Sequence, residues 1–211
     1  MEETDNKEKL IRGADELFMK YGVRSVSMDD IARHLGVSKK TIYQHFADKD
    51  EVVVCVAKAH MAKQKAQFDT IASESKNAVE EMVKISYCLK ENMKNINPSV
   101  LFDMQKYHQS AWNEWLTFKQ KFIKESIIRS FRNGVSEGYF RDDVNVEILA
   151  IMRLELVQMA FDNGIYPRDK FNIPEVQAQL FDHFIHGLFT EKGKKLYLKY
   201  KQQNPKPQTI Y

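Results

Sequence analysis

The sequence has few of the residues that interrupt helices and no apolar run long enough to cross a membrane. Its 211 residues include eight glycines, five prolines and two cysteines. The two cysteines, Cys55 and Cys88, are too few for the disulfide framework of a small secreted protein. The longest apolar run, Val52–Ala57, has six residues, whereas a membrane-spanning helix needs about twenty. The N-terminus, MEETDNKEKL, lacks the apolar stretch of a secretory signal, so we expect a cytoplasmic protein with no membrane partner.

Composition places the chain among ordinary globular proteins. Hydrophobic residues make up 43% and charged residues 29%, as in folded domains, and the length suits one or two domains. Because helix-breaking residues are scarce and alternating strand patterns are missing, we predict an all-α protein of about nine helices.

The motifs that mark many enzymes do not occur. The sequence contains no phosphate-binding loop, HExxH, GxSxG or dinucleotide fingerprint, so we predict no catalytic site and no cofactor. His183 and His186 are three residues apart but have no third ligand at motif spacing. We therefore predict no metal site.

The distribution of charge is more informative than the formal net charge, which is only +3. Residues 33–45, RHLGVSKKTIYQH, carry three positive charges and no acid. A local basic strip of this kind suits a small DNA-reading surface. The segment 191–211 carries six lysines against one acid, and we interpret it as a solvated, flexible terminus.

The first fifty residues have the pattern of a helix-turn-helix. An apolar stripe of period 3.6 predicts a first helix over residues 5–21. Ser27 can cap a short second helix, and a third is predicted over Lys39–Phe46 after a tight turn at a glycine. Two short helices joined in this way form a helix-turn-helix. The residues predicted to pack them together are Ala32, Gly36, Val37 and Ile42.

Residues 14–53, ADELFMKYGVRSVSMDDIARHLGVSKKTIYQHFADKDEVV, resemble the DNA-binding domain of the TetR/AcrR family of bacterial transcriptional repressors. The resemblance is most specific in Gly-Val-Ser at 36–38, Thr-Ile-Tyr at 41–43 and His-Phe at 45–46. It implies a helix-turn-helix DNA-binding domain over residues 5–65 and a helical ligand-binding and dimerisation domain over residues 66–211.

The third helix is the expected recognition helix, which would lie in the major groove of double-stranded DNA. Four of its side chains project away from the apolar face and can reach bases or phosphates: Lys39, Lys40, Thr41 and Gln44. The resemblance implies phosphate contacts by Ser27, Tyr43, His45 and Lys49. Two alternatives remain, because Tyr43 could pack on the first helix and His45 could be an ordinary exposed residue. Asp29 departs from the family pattern, since an acid there would be repelled by DNA.

Further helices are predicted over residues 48–72, 77–96, 98–108, 111–137, 144–163 and 174–189. Aromatic residues are concentrated in residues 101–122, which include both tryptophans. This cluster suits either a solid core or an apolar ligand cavity, and the resemblance, which implies inducer binding in this domain, favours the cavity. The predicted pocket residues are Phe102, Gln105, Tyr107, His108, Trp112, Trp115 and Phe118.

The last two of these helices carry apolar residues around most of their circumference. They therefore need cover on two sides, either within the monomer or, as the resemblance implies, from a second subunit. The predicted homodimer interface comprises Met152, Leu156, Phe181, Phe184 and Leu188. We thus predict a ligand-responsive repressor that reads a palindromic operator. The alternatives are a protein-binding helical scaffold and an enzyme without a recognisable motif.

Overall fold

The computed structural model of the chain describes residues 2–94 and 96–203, and this part of the chain is all-α. A single isolated bridge between Phe140 and Phe189 is its one β feature. The helices are α1 (Glu2–Tyr21), α2 (Met28–Leu35), α3 (Lys39–Tyr43), α4 (Lys49–Glu74), α5 (Ala78–Met93), α6 (Val100–Tyr107), α7 (Gln109–Phe118), α8 (Lys124–Ser136), α9 (Val146–Met159), α10 (Ile173–Leu188) and α11 (Glu191–Gln203). A π-helical segment, Lys119–Ile123, joins α7 to α8, so the described residues form ten helical rods. The predicted fold class is confirmed.

The chain divides into two compact units. The first unit is Met1–Ala66 with Asn95–Gln120, and the second is Gln67–Lys94 with Lys121–Tyr211. The sequence-based division after residue 65 lies beside the first of these boundaries, within α4. The sequence did not suggest, however, that residues 95–120 group with the helix-turn-helix, since it assigned all of 66–211 to one domain.

The core of the first unit is built on the apolar stripe of α1. Leu10, Ala14 and Phe18 are buried there together with Ile31 of α2 and Ile42 of α3. These positions recur at the helical period, so burying them removes one continuous apolar face from water. The α6–α7 segment contributes further buried residues to the same core: Val100, Met104 and Ala111.

The core of the second unit is rich in phenylalanine. Phe131 of α8 stacks on Phe184 of α10 at 5.9 Å between ring centroids, and it meets Phe140 edge-on at 6.1 Å. Both arrangements are favourable for aromatic pairs. Helices α5, α8, α9, α10 and α11 surround this cluster.

The interpretation of residues 191–211 as a flexible terminus is wrong for residues 191–203, which form α11. Tyr197 is 4% exposed, and its hydroxyl donates to Asp182 Oδ1 at 2.7 Å. Leu196 and Tyr200 pack beside it. The segment is rich in lysine, but Leu196, Tyr197 and Tyr200 form an apolar stripe between the lysines that covers the second core. Residues 204–211 lie outside the described residues.

No helix of the described residues is both long and apolar enough to cross a lipid bilayer.

Candidate nucleic-acid interface

The start of α2 is fixed by a reciprocal cap. Ser27 Oγ accepts a hydrogen bond from Asp30 N at 3.2 Å, and Asp30 Oδ2 accepts from Ser27 N at 2.9 Å. The hydrogen bonds from Ser27 lower the pKa of Asp30 below its ordinary value. This cap satisfies amides at the helix start that would otherwise lack partners.

The turn between α2 and α3 depends on Gly36. Its φ of 66° and ψ of 28° lie in the left-handed region, which other residues adopt only with strain. The turn is closed by a hydrogen bond from Val37 N to Ala32 O at 3.0 Å. Ala32 and Ile42 are buried and Val37 is half-buried against the same core, so α3 lies in a fixed position against α2.

Helix α3 presents its polar side chains outward. The hydroxyl oxygen of Ser38 caps the helix by accepting a hydrogen bond from Thr41 N at 3.1 Å. Thr41 itself is half-buried. Beyond it, the side chains of Lys39, Lys40, Tyr43 and Gln44 are exposed, and His45 in the following turn is half-buried. Tyr43 is 47% exposed, which does not favour the alternative that it packs on α1. The structure therefore gathers the predicted contact residues of this helix on one accessible surface.

Acids of α2 partly neutralise this surface. Lys39 Nζ lies 3.0 Å from Asp29 Oδ1, and the pKa of Lys39 is raised by this hydrogen bond and by the carboxylate charge. Arg33 lies 3.7 Å from Asp30. Two of the three positive charges of residues 33–45 are therefore paired with acids that precede the strip in sequence. Lys40 forms no ion pair among the described residues.

Lys49, at the start of α4, is half-buried. Its Nζ donates to the carbonyl oxygen of Val23 at 2.7 Å, and desolvation lowers its pKa. The side chain is thus directed at the turn between α1 and α2. The phosphate contact of Lys49 stays a prediction.

The turn between α1 and α2 is also held by α6. The buried carboxylate of Asp103 accepts from Arg24 N at 3.0 Å and from Ser99 Oγ at 3.2 Å. Arg24 also donates to the hydroxyl of Tyr107 at 3.1 Å, with its guanidinium 5.0 Å from the ring centroid. We call Arg24, Asp103 and Tyr107 the α6 clamp. Sequence patterns could not indicate this clamp, because Arg24 is about eighty positions away from Asp103 and Tyr107.

The seven predicted pocket residues differ in exposure. Phe102 is 57% exposed and Tyr107 is 39% exposed, and Gln105 is also on the surface. Trp112 and Trp115 are partly buried against the first core, and the ring centroid of Phe118 lies 6.1 Å from that of Trp115. His108 is buried and bonds through Nδ1 to Asp50. An open groove lies elsewhere, between α1 and α2, and its lining includes none of the seven.

The predicted dimer residues fall into two groups. Phe181, Phe184 and Leu188 are at most 6% exposed and belong to the core of their own unit, so they offer little surface to a second subunit, and their place in a dimer interface stays a prediction. Met152 is 44% exposed and Leu156 is half-buried. The apolar residues that α9 leaves exposed are Ile148, Ile151 and Met152. An all-round apolar pattern does not reveal which side of a helix its own subunit covers.

The described residues contain no group of three or more His, Cys, Asp and Glu side chains able to hold a metal ion. The exposed surface of α3, together with the Ser27 cap, groups several side chains that can form hydrogen bonds and ion pairs with a ligand. It offers two ammonium groups, an amide and a phenol on a short, firmly packed helix. Such groups suit the phosphates and base edges of a DNA groove.

Comparison with known proteins agrees with this geometry. Residues 10–55 match the model of the bacterial regulatory proteins of the tetR family. The HTH-type transcriptional regulator YvaF of Bacillus subtilis is 27% identical over 171 residues, which are 80% of this chain and 88% of that protein. The HTH-type transcriptional repressor KstR2 of Mycobacterium tuberculosis is 22% identical over 144 residues, 67% of this chain and 72% of the repressor.

Solved structures show the same fold. The ketosteroid transcriptional regulator KstR2 of Mycobacterium tuberculosis superposes with a TM-score of 0.62 at 19% identity, over 88% of this chain and 95% of that one. A TetR-family regulator from Agrobacterium tumefaciens superposes with a TM-score of 0.74 at 11% identity, over 89% of this chain and 99% of that one.

Proposed function

We propose that the chain is a DNA-binding transcriptional regulator of the TetR family, and that it acts as a homodimeric repressor released from a palindromic operator by a small, largely apolar molecule. The observation that carries the proposal is the exposed polar surface of α3, which is held in place by the buried side chains of Ala32 and Ile42 and by the left-handed turn at Gly36. Repression is supported by the relative KstR2, which is named a repressor.

DNA reading is assigned to α3 in the major groove. Lys40 and Gln44 are exposed and extend from the helix, so they are suited to base edges. Tyr43 and His45 are suited to phosphates, which set the register of a protein on the duplex. The capped start of α2, with Ser27, supplies a further phosphate contact.

A palindromic operator requires two copies of α3 about one helical turn of DNA apart. We assign the dimer interface to the exposed apolar residues of α9, Ile148, Ile151 and Met152. Three large apolar side chains grouped on one outward face favour an interface, because water contact with such a patch is unfavourable.

The effector acts by preferring the conformation that cannot bind DNA. Every 1.4 kcal/mol of that preference is worth about tenfold in DNA affinity. Two elements of the first unit are suited to transmit the change. Helix α4 runs from the helix-turn-helix into the second unit, and the α6 clamp bonds directly to the turn that precedes α2.

The test is fluorescence anisotropy with the DNA upstream of the chain's own gene, at several salt concentrations. Lys40→Ala or Gln44→Ala should change which operator variants are preferred, whereas Tyr43→Phe should weaken binding to all of them alike. Lys195→Ala, which removes an exposed lysine of α11, is the matched control and should leave binding unchanged. Binding that no α3 substitution alters would contradict the assignment.

The other candidate functions have no observation in their favour. The similar proteins are transcriptional regulators rather than enzymes, and we assign this chain no catalytic activity and no scaffold role. A bacterial protein that binds operator DNA works in the cytoplasm, and we propose that location.

A further inference from the structure

The second unit contains a buried arginine without an anionic partner. Arg153 of α9 is 6% exposed, and its Nη1 has no hydrogen-bond partner among the described residues. Its guanidinium carbon lies 5.1 Å from the centroid of the Phe181 ring. An aromatic face attracts a cation but accepts none of its N–H hydrogen bonds in the usual geometry.

The side chain keeps its positive charge despite this burial. Desolvation lowers the pKa of Arg153 to about 10, which still leaves the guanidinium protonated near neutral pH. A buried, unpaired charge is among the most unfavourable features that a folded protein can contain. Such groups are usually paired, so an anion is expected beside this one.

A second subunit cannot supply that anion by surface contact. The exposed apolar residues of α9 are Ile148, Ile151 and Met152, whereas Arg153 is only 6% exposed. Any partner must therefore be small enough to enter the fold.

The surroundings of Arg153 on α9 are apolar on both sides. Leu149 and Leu156 pack into the phenylalanine-rich core, and Val157 packs into a separate cluster that includes Val176 of α10. Helix α8, which packs most extensively on α9, carries Ser130, whose hydroxyl oxygen is buried and has no hydrogen-bond partner within the described part of the chain.

We propose that Arg153 binds the carboxylate of an otherwise apolar effector, and that this effector is the one that releases the operator. A carboxylate matches the fork of the guanidinium with two parallel hydrogen bonds. Its single negative charge neutralises the buried cation, whereas a dianionic phosphate would leave a second buried charge. The inference rests on the proposed function for its regulatory consequence, but the binding site itself can be tested separately.

The binding test uses full-length protein and four probes. Dodecanoate and 4-(1-pyrenyl)butyrate are apolar carboxylates, and their methyl esters are neutral analogues of the same shape. Calorimetric titration should show that each acid binds and that its ester binds at least about tenfold more weakly, because a hydrogen bond to a charged group contributes about 1.5–3 kcal/mol. Arg153→Met should remove this preference for the acid. Arg132→Met, at an exposed arginine of α8, is the matched control and should retain it.

Thermal unfolding without any ligand gives a second readout. If Arg153 is unpaired in the free protein, Arg153→Met should raise the melting temperature, since an apolar side chain replaces an unmatched charge. The acids should then stabilise the wild-type protein but not this variant. A lower melting temperature for Arg153→Met, or acids that stabilise the wild-type protein no better than their esters, would overturn the proposal.

Operator release separates this inference from the proposed function. If the acids bind through Arg153 but do not release DNA, the carboxylate site stands and regulation by it is wrong. If neutral apolar compounds release DNA from wild-type protein and Arg153→Met alike, ligand-controlled repression stands and the role of Arg153 is wrong.

Discussion

We expect Asp29 to weaken DNA binding, so Asp29→Asn should strengthen it. The carboxylate lies 3.0 Å from the ammonium group of Lys39, the first residue of α3. Both side chains are about half exposed, so their pairing adds little to folding stability. Toward DNA the effect is larger, because the acid both occupies a lysine and brings a negative charge close to the phosphates.

The salt dependence of binding gives the size of this effect. Each phosphate neutralised by a protein cation contributes a slope of about −0.9 to the plot of log affinity against log salt. A freed Lys39 that contacts one phosphate should steepen the slope by about 0.9 per subunit. Between 1 M and 0.1 M salt that difference amounts to about eightfold per subunit, and both subunits of a dimer would contribute.

The assay is anisotropy with operator DNA at a series of salt concentrations. Asp142→Asn changes the net charge equally at an exposed aspartate of the second unit, and this control should leave the slope unaltered. The gain from Asp29→Asn should be smaller when Lys39 is replaced by alanine, because only the repulsion between the carboxylate and the phosphates is then removed. An unchanged slope, or an equal gain in both Lys39 backgrounds, would refute the reasoning.

The sequence was sufficient for the helix-turn-helix because local signals determine it. Ser27 and Ser38 are strong capping residues, and both accept hydrogen bonds from the third amide of their helices. Gly36 is a residue that readily takes the left-handed turn. Apolar spacing placed α1, α9 and α10 to within a few residues of their observed ends.

Long-range contacts could not be predicted in this way. Asp29 and Lys39 are brought together only by the turn between their helices. Arg24 and Asp103 are 79 positions apart, and no pattern in a single sequence joins them. The sequence of the basic strip contains no acid, and it does not indicate that Asp29 and Asp30 pair with Lys39 and Arg33. For the same reason the sequence alone places the segment from 95 to 120 in the second domain.

Apolar periodicity also cannot distinguish a core from an interface. Phe184 and Met152 both lie on helices that are apolar around most of their circumference, yet one is 5% exposed and the other 44%. The difference depends on which neighbours the tertiary fold provides.

The π-helical segment Lys119–Ile123 could not be predicted either, because its sequence continues the pattern of an ordinary α-helix.

Three further substitutions test the turn, the dimer and the last helix. Gly36→Ala should lower the free energy of unfolding in urea by roughly 1–2 kcal/mol through backbone strain alone, since nothing lies within 4 Å of an added methyl, and Gly36→Asn should cost less; equal losses would contradict this. Ile148→Glu should yield a folded monomer of 24.7 kDa in sedimentation, and a persistent dimer would remove α9 from the interface. Asp182→Asn should destabilise the protein in a pH-dependent manner. Burial raises the pKa of Asp182, but hydrogen bonds from Lys201 and Tyr197 outweigh it, so the pKa lies below its ordinary value. A depressed pKa contributes stability that is present above the unfolded value of about 3.9 and is lost as the pH falls through the folded value. The stability difference between wild type and Asp182→Asn should therefore be present at pH 7 and shrink below about pH 4. A difference that stays constant down to pH 3 would show that the carboxylate charge does not anchor α11.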